Sequence, residues 1–152
     1  MAARAGTGES AYTFDDKESC SRAQVWLREE GVKDDGKPWV LFVSFVAPHF
    51  PLTAPPEHYY KYWNRDLPMP KLYAREERPK HPYLEDYRNS FCYDDYFESE
   101  ADVKRAIAGY FGLVSYVDAN IGKVLRALYA ASPSGNPATK SRRAARDRAN
   151  SI

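Results

Sequence analysis

The sequence predicts a mixed α/β chain, and three observations predict it. Residues 39–46, Trp-Val-Leu-Phe-Val-Ser-Phe-Val, form an almost continuously apolar run of strand formers. A capped, periodic helical stretch precedes that run, from about Thr13 to Glu30, and a much longer one follows it, from about Glu100 to Tyr129. Helix, short turn and buried strand make the second half of a β-α-β unit, the building block of parallel sheets.

In the first helix Thr13 and Asp16 have the spacing of a capping box, and Cys20, Ala23, Trp26 and Leu27 recur at helical intervals. Gly31 is placed as its C-cap, and Asp34-Asp35-Gly36 as the turn into the strand. A strand with one face in water alternates apolar and polar residues. Residues 39–46 do not alternate, so they are expected to be covered on both faces, as central parallel strands are.

From Ala47 to Glu98 the chain carries Pro48, Pro51, Pro55, Pro56, Pro68, Pro70, Pro79 and Pro82 among many Tyr and charged residues. Proline fixes φ and removes a donor, so only short helices or turns such as Glu57 to Trp63 fit here. A loop of this length in a compact domain is functional or disordered. Its Tyr and Trp content points to a packed, functional loop. Ser99 then opens the long helix with Asp102 at the capping-box position. Val103, Ile107, Phe111, Val114, Val117, Ile121, Leu125 and Leu128 follow one stripe, expected to be the buried face. At ~1.5 Å per residue that helix runs ~45 Å and calls for a large partner sheet. Residues 132–152 lose all periodicity and are read as a basic, disordered tail.

Composition bounds the function. The 152 residues suit one domain, and a formal charge of +1 speaks against a general nucleic-acid or membrane-surface binder. Only the tail is strongly basic, with Lys140, Arg142, Arg143, Arg146 and Arg148 against Asp147. Met1 to Ser10 has no apolar leader, and no run approaches the ~20 apolar residues of a membrane span, so the cytoplasm is the favoured expectation. Cys20 and Cys92 follow no metal-ligand spacing and read as two lone thiols.

The chemistry begins at His49, three residues past the apolar run, in Val46-Ala47-Pro48-His49-Phe50-Pro51. In open α/β sheets ligands bind beyond the carboxyl ends of the strands. Flanking prolines hold the backbone there, and an imidazole donates well to an anionic oxygen. The plainer reading is a loop histidine hydrogen-bonded to a neighbour. For His81, between Lys80 and Pro82, the default is a surface histidine and the alternative a substrate-mouth contact. His58 reads as packing or surface. Tyr59, Tyr60, Tyr62 and Trp63 read first as packing for the proline loop and otherwise as a pocket for a cationic group. Asp94-Asp95 reads as a solvated pair ahead of a helix rather than a metal pair.

Two motifs carry a family resemblance. Lys37-Pro38 with the apolar run and Ala47-Pro48-His49-Phe50-Pro51-Leu52 resembles the sulfatase pattern in which a buried strand runs into Pro-His-x-Pro. The segment Tyr110 to Leu125 resembles that family's Y-x-G-x-V-x-x-x-D-x-x-I-G-x-V-L helix. Leu67-Pro68-Met69-Pro70 and Arg78-Pro79-Lys80-His81-Pro82 are similar to its choline-sulfatase-like branch. The likeness runs from about Tyr12 to Tyr129. It implies a partial sulfatase catalytic domain over residues 11–131, of the alkaline-phosphatase-like α/β type, with a small sulfate ester as substrate.

The resemblance also implies calcium and a formylglycine made in a C/S-x-P-x-R motif, together with a late Lys and the Pro-His-x-Pro histidine on the sulfate. Only that histidine maps onto this chain, at His49. Neither Cys20 nor Cys92 has the Pro and Arg the modification needs, and the metal pairs have no counterpart. The expected function is that of a sulfatase-family hydrolase piece, inactive alone. The alternatives are a phosphomonoester or phosphonate hydrolase of the same superfamily and a truncated, non-catalytic protein. Past Tyr129 the likeness stops, as a truncation or frame shift would produce; finding no sulfatase-like sequence in any frame of the surrounding DNA would sink that explanation.

Overall fold

A computed structural model describes residues 5–33 and 38–131. The turn placed at Asp34-Asp35-Gly36 and the tail over 132–152 lie outside the described residues. The elements are β1 (Gly6–Thr7), α1 (Ala11–Glu29), β2 (Thr53–Ala54), α2 (Pro56–Trp63), α3 (Pro82–Phe91) and α4 (Glu100–Ala131), with 3₁₀ turns at Arg75–Glu77 and Tyr93–Tyr96. The chain is therefore mixed α/β, and among the described residues its sheet is one short parallel pair, β1 with β2, in the register Gly6 to Thr53 and Thr7 to Ala54. It divides into two compact units, Met1–Thr13 with Ala47–Tyr116, and Phe14–Val46 with Val117–Ile152.

In the first unit the strand pair is extended by Gly6 N–H to Leu52 O at 2.9 Å and Gly8 N–H to Ala54 O at 2.8 Å. The α4 backbone comes very close to it. A Cβ on Gly109 would lie 2.2 Å from the Leu52 carbonyl oxygen, and one on Gly112 would lie 2.8 Å from Ala54 Cβ and 3.1 Å from Tyr59 Cα. Glycine is used here because nothing larger fits between two backbones. Around this contact Ala54, Tyr59, Ala106, Leu113 and Tyr116 are buried. The Tyr116 hydroxyl donates to Thr13 O at 2.7 Å, and its ring meets His58 edge-on at 5.6 Å. His58 is thus a packing residue, as read from the sequence.

In the second unit α1 buries Cys20, Ala23 and Leu27, the stripe expected of it. Cys20 donates its thiol to Asn120 O at 3.6 Å, and Trp26 stands edge-on to Trp39 with ring centroids 4.9 Å apart. Gly31 closes the helix through its N–H on Trp26 O at 2.9 Å. The N-terminal cap differs from the sequence reading. Ser10 N–H bonds Thr13 Oγ1 at 2.9 Å and Thr13 N–H bonds Ser10 Oγ at 3.3 Å, so the reciprocal box is Ser10 with Thr13. Asp16 is buried and accepts from Val46 N–H at 2.7 Å. A tertiary partner has taken the carboxylate that the spacing assigned to a cap.

Two further expectations are corrected. Residues 39–46 form no strand: Val40 is 97% and Phe42 87% exposed, and residues 40–45 make no backbone hydrogen bond among the described residues. A strand is defined by its lateral neighbours, and the described residues supply none here. On α4 the buried residues are Val103, Ala106, Ala108, Gly109, Gly112, Leu113, Tyr116, Asn120 and Ala127, and only Val103 among them belongs to the bulky stripe. Phe111, Val114, Ile121 and Leu125 are exposed. The small-residue face wins because only it permits the close backbone approach.

An unpaired apolar segment is a template for association. Concentration-dependent self-association is therefore expected in dynamic light scattering, and Val40→Lys with Phe42→Lys is expected to suppress it without loss of helical circular dichroism. Equal association of variant and wild type would contradict this.

Candidate active site

The five residues from Ala47 to Pro51 are held at both ends. Ala47 is buried, Thr53 N–H returns to Pro51 O at 2.8 Å, and Leu52 O takes the β1 hydrogen bond from Gly6. Ala47–Pro48 and Phe50–Pro51 are both cis. His49 projects from this tether, and its side chain contact is at an exposed position. Its ring partners are Phe50 at 4.4 Å and Tyr12, edge-on, at 5.8 Å.

His49 Nδ1 lies 2.8 Å from Phe50 O. A carbonyl oxygen only accepts, so Nδ1 carries a proton in this contact, and Nε2 has no partner among the described residues. The plainer sequence reading, a loop histidine bonded to its neighbour, thus describes one nitrogen and leaves the other open to the sharper one. Tyr12 was legible only as the start of the family likeness. It reaches His49 through the fold, and no local pattern links the two positions.

His81 is placed elsewhere. It is the N-cap of α3, where its Nδ1 accepts from Tyr83 N–H at 3.2 Å, and it is not among the ring partners of His49. Its visible role is to cap a helix. Neither histidine lines the two clefts found among the described residues of the first unit.

Asp94 is committed to two arginines. Arg78 Nη1 lies 2.9 Å from both of its oxygens, and Arg75 Nε lies 3.1 Å from Oδ2. The hydrogen bond from Arg78 holds the carboxyl below the usual carboxylate range, against a smaller pull upward from desolvation, and Arg75 adds to the lowering. A folded value that is lowered gives stability at neutral pH that is lost as the pH falls through it. The carboxylate is over a third exposed, so screening keeps the contribution small. Asp94→Asn is expected to lower the melting temperature slightly at neutral pH and not at strongly acidic pH; an equal effect at both would contradict the pairing.

These commitments bear on the cofactors that the resemblance implies. Among the described residues no three His, Cys, Asp or Glu side chains come together as a metal site. Cys20 is buried on Asn120 O, and Cys92, exposed at a left-handed φ of 44°, bonds Asn89 O. The described residues therefore do not fit calcium, and neither thiol lies in a formylglycine motif.

A short parallel strand pair under a close-packed long helix, with His49 on the loop leading into it, is a mixed α/β frame consistent with part of a sulfatase domain, though without the buried strand the first motif implied. Residues 5–134 match the Sulfatase family model, and the chain belongs to the sulfatase family. It is 32% identical over 110 residues to an arylsulfatase of Clostridium perfringens, covering 68% of this chain and 22% of that protein. It is 28% identical over 102 residues to a choline-sulfatase of Rhizobium meliloti, covering 67% and 20%. A multifunctional alkaline phosphatase superfamily protein of Trinickia caryophylli is 27% identical over 104 residues, covering 59% and 20%. The chain thus spans about a fifth of the length of these curated relatives. No helix among the described residues is long and apolar enough to cross a membrane.

Proposed function

We propose that residues 11–131 are part of a sulfuric ester hydrolase domain of alkaline-phosphatase-like fold, in which His49 contacts the sulfate group or the leaving oxygen. The observation that carries this reading is the tethered imidazole. Phe50 O holds Nδ1, buried Ala47 and the Thr53 N–H to Pro51 O bond tie down the loop, and Nε2, with no partner among the described residues, is available to an anionic oxygen. As the S–O bond breaks, the leaving oxygen takes on negative charge. An imidazolium Nε2–H aimed at that oxygen stabilises it and hands over the proton, so that an alcohol or phenol departs neutral. The water that completes hydrolysis supplies the oxygen gained by sulfate and restores the proton. Neither a metal nor a formylglycine enters these steps, because the described side chains do not fit them. His81, as a helix cap, is given no substrate role.

A second reading rests on the likeness to the alkaline phosphatase superfamily protein: the same histidine would serve a phosphate or phosphonate ester. Building residues 11–131 into a complete sulfatase domain in place of its own equivalent segment tests both. Retained hydrolysis of 4-nitrophenyl sulfate supports the first. A folded chimera that turns over only phosphate or phosphonate esters would replace it with the second.

A further inference from the structure

The rings around His49 come from two places. Phe50 is the next residue, and its ring centroid lies 4.4 Å from the imidazole at 31°. Its carbonyl takes the Nδ1 proton at 2.8 Å. Both contacts travel with the loop, so they fix the imidazole relative to Phe50 and not relative to the rest of the unit. Tyr12 is different. It stands in the first turn of α1 and meets the imidazole edge-on, with centroids 5.8 Å apart and planes at 80°. Crossed rings at that spacing attract. Among the described residues it is the one ring contact of His49 that comes from outside the loop.

Tyr12 is itself well anchored. Its neighbour Thr13 is fully buried, and Thr13 O accepts from the Tyr116 hydroxyl of α4 at 2.7 Å. The Ser10–Thr13 box fixes the same turn. The Tyr12 hydroxyl has no partner among the described residues, so what Tyr12 offers His49 is its ring. A loop imidazole turns about two side-chain bonds and has several staggered states open to it. A proton donor works only while its N–H stays within hydrogen-bond reach of the reacting oxygen. A ring braced from a helix removes most of those states.

We propose that Tyr12 is a positioning residue for His49. Its ring, planted at the start of α1, keeps the imidazole in the orientation that commits Nδ1 to Phe50 O and leaves Nε2 for the ester oxygen. This role rests on the ester-hydrolysis reading above, and the two fail in different measurements.

The first measurement is nuclear magnetic resonance of the full chain, whose three histidines give few imidazole signals to assign. At mildly alkaline pH, where an ordinary imidazole is neutral, wild type and Tyr12→Phe should show His49 as the Nδ1–H tautomer with ring protons shifted by the neighbouring ring. Tyr12→Leu should lose that shift and average the two tautomers. The second is kinetics in the chimera carrying residues 11–131. Tyr12→Leu should lower kcat for 4-nitrophenyl sulfate roughly tenfold, inside the ~10²-fold that a small misplacement can cost. KM should stay within about twofold, and Tyr12→Phe within about twofold of the parent in both constants. In a His49→Ala background Tyr12→Leu should cost nothing more, as for residues that act as a unit. Unchanged His49 signals or an unchanged kcat in Tyr12→Leu would overturn the proposal. So would equal losses in Tyr12→Phe and Tyr12→Leu, which would assign the effect to the hydroxyl, or an undiminished loss in the His49→Ala background. A His49→Ala chimera as active as its parent would instead overturn the donor reading, and the positioning role with it. Tyr12 is exposed and leucine is a good helix former, so Tyr12→Leu keeps α1.

Discussion

In a complete sulfatase domain carrying residues 11–131, His49→Ala is expected to lower kcat/KM for an aryl sulfate by roughly 10²- to 10⁴-fold, the usual contribution of a positioned proton donor. The loss should fall mainly on kcat, because the contact strengthens as charge develops on the departing oxygen. Leaving-group chemistry sharpens the test. If Nε2–H serves the leaving oxygen, alkyl sulfates, whose alkoxides are strong bases, lose more than 4-nitrophenyl sulfate does. A uniform loss across leaving groups would put the donor on the sulfate oxygens instead, and no loss would remove His49 from the chemistry. His81→Ala is the control. It should leave kcat/KM near wild type and cost about 0.5–2 kcal/mol of stability, as cap removal does.

Gly109→Ala is expected to be the most damaging single substitution in the fold of the first unit. In an open helix Gly→Ala gains about 1 kcal/mol. Here the added Cβ would lie 2.2 Å from Leu52 O, a backbone atom already bonded to Gly6 N–H. Neither partner is a flexible side chain, so α4 or the strand pair has to move, and overpacking of this kind costs about 1–3 kcal/mol or more. A net destabilisation of up to roughly 2 kcal/mol follows from those opposing terms. Gly122→Ala on the same helix meets only the tip of Arg126 at 3.3 Å and should be neutral or stabilising by up to about 1 kcal/mol. Urea unfolding of the two variants decides it. Equal stability would mean that the close approach of α4 to Leu52 does not hold in solution. Leu52 lies three residues beyond His49, so the same substitution also loosens the tether of the candidate donor.

The elements legible in the sequence were those specified locally. The Ser99–Asp102 box and apolar spacing place α4 at Glu100–Ala131 against an expected Glu100 to Tyr129, and α1 at Ala11–Glu29 against Thr13 to Glu30. The α1 cap went astray because Ser10–Thr13 and Thr13–Asp16 have the same spacing, and only the fold shows that Asp16 is claimed by Val46. Helix α3 was hidden by its prolines. Pro82 sits at the first helical position, where a missing N–H costs nothing, so a proline that reads as a breaker is a helix start. The apolar run at 39–46 shows the limit of periodicity: it reports what the residues can be packed against and says nothing of where the partner strands are. The α4 stripe misled for a related reason, since bulk and periodicity do not reveal a backbone contact at Gly109 and Gly112.

At the site, the apolar run, the prolines and the motif together single out His49 in the sequence. Its Tyr12 neighbour and the Phe50 O contact depend on tertiary placement and loop geometry that no spacing encodes.

The most direct measurement is turnover of 4-nitrophenyl sulfate by the purified 152-residue chain with calcium, beside His49→Ala. A segment that carries the proposed donor His49, with no metal cluster and no formylglycine motif among the described residues, predicts no turnover above the uncatalysed rate from either protein. Turnover that requires both calcium and His49 would contradict it and would place a complete catalytic site within these residues.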